Sequence, residues 1–151
     1  MATLHLICGL PCAGKTTLAR RLERELPALR LAPDEWMHRI VGSNDEAKRL
    51  AVEATQWEIA VRVVSLGVDA ILENGFWPRS ERDELRARAA ASGTPTRWYF
   101  LDPPLGELKR RLAARNAALP PDTFRITEAE LEEYARWWDP PAPYELEQAA
   151  S

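Results

Sequence analysis

Long hydrophobic runs are missing from this sequence. No apolar stretch approaches the ~20 residues of a membrane span, and no basic segment precedes the apolar run Leu4 to Cys8, so the N-terminus does not read as a secretory signal. A cytoplasmic protein is the expectation. Cysteine is scarce as well. Cys8 and Cys12 lie four residues apart beside a glycine-rich turn, and no second pair or nearby histidine completes a metal site. They read as a buried thiol at the end of a strand and a small loop residue. The two histidines, His5 and His38, form no pair with catalytic signals and read as structural. An excess of positive charge is also absent. The formal charge is -3, which argues against a partner held mainly through a nucleic-acid backbone and leaves a small polar substrate open.

What is present is an ordinary globular composition, 46% hydrophobic and 28% charged over 151 residues, enough for one domain around one core. Thr3 to Cys8 is a short apolar run bounded by Gly9 and Pro11 and predicts a buried strand. Leu18, Leu22 and Leu26 form a helical stripe in the segment that starts at Lys15 and stops at Pro27. Ala28 to Ala32 predicts a second strand beside the first, and Pro33-Asp34 opens a short helical segment through Trp36 to Ile40. Ser43 and Glu46 fit a capping box ahead of the longest helix, which carries Leu50, Ala54, Trp57, Val61 and Val64 and stops at Gly67. Val68 to Leu72 predicts the third strand, ending at Glu73, Asn74 and Gly75. Ser80 and Asp83 fit another capping box before a helix that runs to about Ser92. Thr96 to Leu101 predicts the fourth strand, with Asp102 at its end. A helix with Leu105, Leu108 and Leu112 follows, then a proline-containing loop from Ala117 to Arg125. Thr127 and Glu130 cap a last helix through Trp138. Pro143 to Ser151 predicts either a marginal edge strand or a loose tail.

Strands alternating with helices imply right-handed crossovers and a parallel sheet covered on both faces. Ligands then gather at the carboxyl ends of the strands, which makes Gly9, Asp34, Asn74 and Asp102 the candidate rim residues. Gly9-Leu-Pro-Cys-Ala-Gly14-Lys15-Thr16 satisfies the Walker A pattern in the required context, a strand before it and a helix after it. Glycines at positions 9 and 14 let the backbone curl so that its amides point inward, and the helix N-terminus favours anions. The phosphate-binding set is therefore Gly9, Pro11, Cys12, Ala13, Gly14, Lys15, Thr16 and Thr17. Lys15 supplies charge to the outer phosphates of a nucleoside triphosphate, most simply ATP, and the Thr16 hydroxyl faces Mg2+.

With Asp34 after the second strand, Leu72-Glu-Asn-Gly-Phe-Trp77 after the third, and Arg111 to Asn116 before the proline loop, nearly the whole chain resembles the P-loop kinases of the zeta-toxin-like and polynucleotide-kinase-like type, a group also called AAA family ATPases. The resemblance implies a single domain over 1–151 with a three-layer α/β P-loop NTPase fold, a central parallel sheet and a helical lid at about 106–125. It implies that Asp34 is the general base for an acceptor hydroxyl; helix capping and indirect Mg2+ binding are the other readings of that carboxylate. Arg111 and Arg115, four apart on one helix face, become lid arginines that contact ATP phosphates. Asn74, Trp77 and Arg79 become acceptor-facing residues, with Arg79 suited to an anionic group. Trp36 and Trp77 are candidates for an aromatic wall, although six tryptophans can also fill a core. The strict Walker B aspartate is not evident, since Glu73 ends one strand and Asp102 another, which favours a kinase over a mechanical ATPase. The expected activity is ATP-dependent phosphorylation of a hydroxyl on a small molecule. A 5'-hydroxyl polynucleotide kinase and a nucleotide-binding switch without an acceptor are the other readings.

Overall fold

Leu4–Cys8 forms β1 and is buried along its whole length. In this computed structural model, which describes residues 1–147, β1 lies inside a sheet because it has a neighbour on each side. Ala28–Leu31 forms β2, Asp69–Gly75 β3 and Thr96–Phe100 β4. Their order is β2-β3-β1-β4, and every pairing is parallel. The sequence suggested that β2 lies beside β1; instead β2 pairs with β3, which lies between them. The carboxyl ends of all four strands still share one rim.

Alternation along β1 and β3 decides which face each residue serves. Leu4, Leu6 and Cys8 join Ala70, Leu72, Trp57 and Leu85 in the larger core cluster. Ile7 and Ile71 point the other way, against Ala19 and Leu22 of helix α1, Lys15–Glu25. Helix α3, Glu46–Ser65, and helix α4, Arg79–Ala91, contribute Trp57, Ala60, Val64, Leu85 and Ala89 to the first face. Three layers result. Between β2 and α3 the chain makes a short helix α2, Pro33–Trp36, and a π-helical turn, Met37–Val41, closed by Gly42 at φ 79. Helix α5 spans Leu105–Ala117, α6 Glu128–Trp137 and α7 Pro143–Glu147.

Two helix starts differ from the expected capping boxes. Asp45, not Ser43, caps α3 by accepting from the Lys48 amide at 2.9 Å. Helix α4 has no local cap; the Asp139 carboxylate accepts from the Arg79 amide at 2.9 Å from far along the chain. The Thr127–Glu130 capping box is formed as expected. Pro143–Glu147 is helical, so the C-terminal segment adds no strand to the sheet among the described residues; positions 148–151 lie outside them.

His5 is buried under the sheet, bonded to Tyr99 Oη at 2.8 Å and Asp69 at 2.9 Å. The strand rim carries one irregularity. Leu6 pairs with Leu72 but Cys8 with Gly75, so β3 holds one extra residue near Glu73 and Asn74. Bulges of this kind re-aim side chains beside functional sites.

Candidate active site

The glycine loop between β1 and α1 is shaped by its backbone. A side chain at Gly9 would bring a Cβ within 2.8 Å of the Leu101 carbonyl oxygen. Gly14 sits at φ 103, and Cys12 takes the left-handed region at φ 69. The Ala13 amide closes the turn onto the Leu10 carbonyl at 3.1 Å. Helix α1 has no side-chain cap, so the first-turn amides of Lys15, Thr16 and Thr17 have no intrahelical acceptor and are free to meet an anion.

Lys15 is folded back onto this loop. Its Nζ donates to the carbonyls of Gly9 at 2.9 Å and Leu10 at 2.8 Å. Burial pushes its pKa down to about 8, with Asp34 and Glu73 opposing the shift. A cation so placed is partly desolvated and held only by neutral acceptors. An incoming phosphate offers it a charged partner.

Glu73 was not expected as a site residue, and geometry brings it in. Its Oε1 accepts from the Thr16 hydroxyl at 3.4 Å, and Arg30 holds the same carboxylate at 2.9 Å. Burial keeps its carboxyl above the usual range despite Arg30 and Lys15. Mg2+ takes hard oxygen ligands, one or two from protein with the rest from phosphates and water. The Thr16 hydroxyl beside the Glu73 carboxylate fits that need. The signal in the sequence was an acidic residue ending a strand; the parallel pairing of β3 with β1 brings it to the loop.

Asp34 lies exposed on α2, on the same rim. Arg49 of α3 pairs with its Oδ1 at 2.7 Å and also grips Asn44. Above it comes the segment after α5. Asp122 is bonded to Arg39, and Phe124 stacks on His38 with ring centroids 3.9 Å apart. The loop after α5 therefore rests on the helical segment that carries Asp34. Arg111 reaches the phosphate loop and donates to the Cys12 carbonyl at 3.1 Å, while Glu107 steadies it at 3.0 Å. Arg115 donates to the Phe124 carbonyl at 3.1 Å, its Nε is buried without a partner among the described residues, and its charge is felt at Lys15.

The residues expected to face an acceptor separate. Asn74 lines a cavity beside the rim, with its side-chain oxygen buried and unpartnered among the described residues. Trp36 packs against the core cluster and is no free wall. Trp77 turns to the loop instead, donating from Nε1 to the Gly9 carbonyl at 3.0 Å and stacking with Tyr134 at 5.0 Å. Gly75, at φ 97, leaves the space that this indole fills. Arg79 points away, to Glu145 at 3.3 Å and the Pro140 carbonyl at 2.9 Å. Asp102 accepts from Trp138 Nε1 at 3.0 Å and anchors the end of α6. Buried Arg82, which no periodicity signals, ties these parts together. It donates to the carbonyls of Phe76, Trp77 and Asp139 and to the Glu145 carboxylate at 2.7 and 3.0 Å.

A glycine loop on an interior parallel strand, feeding a helix that begins with lysine and threonine, defines a P-loop nucleotide-binding protein of the kinase fold. Residues 4–141 match the AAA domain family, and the chain belongs to it. No curated protein matches it in sequence. Among solved structures it is similar to the Pnkp1/Rnl/Hen1 RNA repair complex, with a TM-score of 0.73 at 18% identity over 99% of this chain; it spans 46% of that chain, less than half its length. It is similar to a sugar kinase from Janibacter sp. HTCC2649, at TM-score 0.69 and 18% identity over 95% of this chain and 81% of that one. Chaetomium thermophilum Kti12 in complex with ADP-AlF3 is similar at TM-score 0.68 and 18% identity, over 93% and 82% of the two chains.

Proposed function

We propose that the protein is an ATP-dependent phosphotransferase acting on a hydroxyl group of a small molecule. The observation that carries this reading is a carboxylate, Asp34, facing solvent on the same rim as the phosphate loop and beneath a loop that follows the lid arginines. The likeness to a sugar kinase and to a nucleotide complex of Kti12 supports a kinase that takes ATP. The acidic balance of the chain favours a small acceptor over a nucleic-acid strand. No helix of the described residues is long and apolar enough to cross a membrane, and we assign the protein to the cytoplasm.

In this mechanism the loop amides and the N-terminus of α1 seat the triphosphate. Lys15 leaves the Gly9 and Leu10 carbonyls for the outer phosphates, and Arg111 and Arg115 balance the charge that spreads over the transferring group. Thr16 and Glu73 would hold Mg2+, which when bound neutralises and orients the outer phosphates. The acceptor oxygen attacks the terminal phosphorus in line, and the bond to the bridging oxygen of the leaving ADP breaks. Asp34 takes the hydroxyl proton. Arg49 occupies Oδ1, so Oδ2 is the oxygen left for that proton.

Asp34→Asn tests the assignment. Phosphoryl transfer to an acceptor falls by about 10²-fold or more, the usual scale for a general base, while Mg-ATP affinity holds. Equal losses of transfer and of Mg-ATP binding would move Asp34 to the metal, and ADP release indifferent to every hydroxyl compound would leave a nucleotide switch without an acceptor.

A further inference from the structure

The loop between α5 and α6 is a braced piece of chain. Across its base the Asn116 side chain donates to the Ile126 carbonyl at 2.7 Å, and Arg125 donates to the Asn116 carbonyl at 3.0 Å. At its tip Asp122 takes the left-handed region at φ 57, and the Thr123 hydroxyl donates to the Pro121 carbonyl at 3.1 Å. Pro120 and Pro121 narrow its backbone freedom further. A segment tied in this way passes a displacement on instead of absorbing it.

Phe124 is where the two sides of the site meet. Its carbonyl accepts from Nη2 of Arg115 at 3.1 Å, the only hydrogen bond of that guanidinium among the described residues. Nη1 is left over, and the Arg115 charge already acts on Lys15, which sets this arginine near the place of the outer phosphates. The Phe124 ring serves the other side. It stacks on His38 with centroids 3.9 Å apart, and the Arg49 guanidinium lies 6.0 Å from its centroid, the outer limit of a cation–π contact. Both partners belong to the surroundings of Asp34. His38 lies in the turn that continues α2, and Arg49 pairs with Asp34 Oδ1 at 2.7 Å while its Nε and Nη2 hold Asn44 at 3.0 and 2.7 Å. Beside the stack, Arg39 donates from Nε to Asp122 at 3.0 Å. One residue thus touches a phosphate-side arginine through its backbone and the holder of the acceptor-side carboxylate through its ring.

We infer that Phe124 is a positioning residue that relays the presence of the terminal phosphate to Asp34. A phosphate engaged by Arg115 Nη1 fixes the planar guanidinium, whose Nη2 then holds the Phe124 carbonyl in place. The ring is kept on His38 and Arg49, and the Asp34 carboxylate keeps the orientation that Arg49 selects. Without the terminal phosphate the stack is free to open, and Asp34 moves with the exposed short helix that carries it. The base is therefore set only when a triphosphate is in place. The consequence rests on the reading of Asp34 as the base; the relay itself rests on the Arg115 and Phe124 contacts.

Mg-AMPPNP, which carries the terminal phosphate and does not turn over, and Mg-ADP, which lacks it, are the probes, each at saturation. Amide exchange is followed by mass spectrometry over Asp34 to Val41. Mg-AMPPNP should slow exchange there by roughly three-fold or more, the effect of opposing a local opening, and Mg-ADP should leave it near the nucleotide-free rate. Phe124→Ala should remove the difference between the two nucleotides, and Phe124→Tyr, which keeps the ring, should retain it. A side chain that only filled space would not distinguish them. Equal protection by Mg-ADP and Mg-AMPPNP, no change with either, or a nucleotide difference that survives Phe124→Ala overturns the relay. The two nucleotides on the unsubstituted chain decide even if Phe124→Ala does not fold. If Asp34→Asn leaves transfer intact while exchange still responds to Mg-AMPPNP, the base reading falls and the relay stands. If exchange is silent while Asp34→Asn abolishes transfer, the base stands and the relay falls.

Discussion

Glu145→Gln is the most informative single change for the fold. Its carboxylate is fully buried and accepts from Arg82 at 2.7 and 3.0 Å, Arg86 at 2.7 Å, Arg79 at 3.3 Å and the Ala142 amide at 3.0 Å. The isosteric amide keeps the volume but removes the charge, so the buried Arg82 guanidinium loses its ionic partner. Breaking one side of a buried pair costs about 3–5 kcal/mol. At this chain length ~1 kcal/mol corresponds to about 2–4 °C, so the melting temperature should fall by roughly 6–20 °C. Acid should act in the same direction. Burial alone would raise the Glu145 pKa, yet the Arg82, Ala142 and Arg86 hydrogen bonds outweigh it and bring it down to about 2. The folded value lies below the unfolded one, so this contribution is complete above pH ~4.5 and is lost as pH falls toward ~2. Thermal melts of both proteins from pH 7 to pH 3 measure it. The gap between them should narrow as the wild type loses what the variant never had. A loss below about 1 kcal/mol at pH 7, or a gap that stays constant into acid, would refute the account of the pair.

Lys15→Ala should abolish measurable turnover while its melting temperature stays within a few degrees of wild type, because Lys15 bonds only loop carbonyls; near-normal turnover in the folded variant ends its assigned role. Trp77→Phe removes the indole donor from the Gly9 carbonyl and should raise KM for ATP several-fold with a smaller effect on kcat, a split that steady-state kinetics resolves. Amide exchange across Leu108 to Thr123 should slow on adding Mg-ATP, since Arg111 and Arg115 gain phosphate partners; unchanged protection counts against a moving lid.

The phosphate loop was legible because its chemistry is local: two glycines, a lysine and a threonine at fixed spacing between a strand and a helix. The interior place of β1 followed from its apolar run, interrupted only by His5, and from the crossovers on both sides of it. Long-range partners were not legible. Asp139 caps α4 from 60 residues beyond Arg79, so nothing near Ser80 announced it. Arg79 has the composition of an anion-binding residue, and only the docking of α7 shows its guanidinium engaged with Glu145. Glu73 looked ambiguous because the meaning of a strand-end acid depends on which strand lies beside it. The β2–β3 pairing, not predicted, brings Arg30 onto that acid.

Gly75 and Trp77 restrict one another. A Cβ at position 75 would fall 2.7 Å from the Trp77 indole nitrogen and 3.0 Å from the Gly9 carbonyl oxygen. A methyl group at 75 therefore collides with the ring that supports the loop. Trimming the ring to make room withdraws the Gly9 carbonyl's second donor, and the left-handed backbone at 75 still disfavours a side chain. Single-step change is closed in the first position and weakens the loop in the second. Homologous chains should therefore vary here by replacing the whole Gly-Phe-Trp turn together, and any chain that has lost the tryptophan should present a different donor to the same carbonyl.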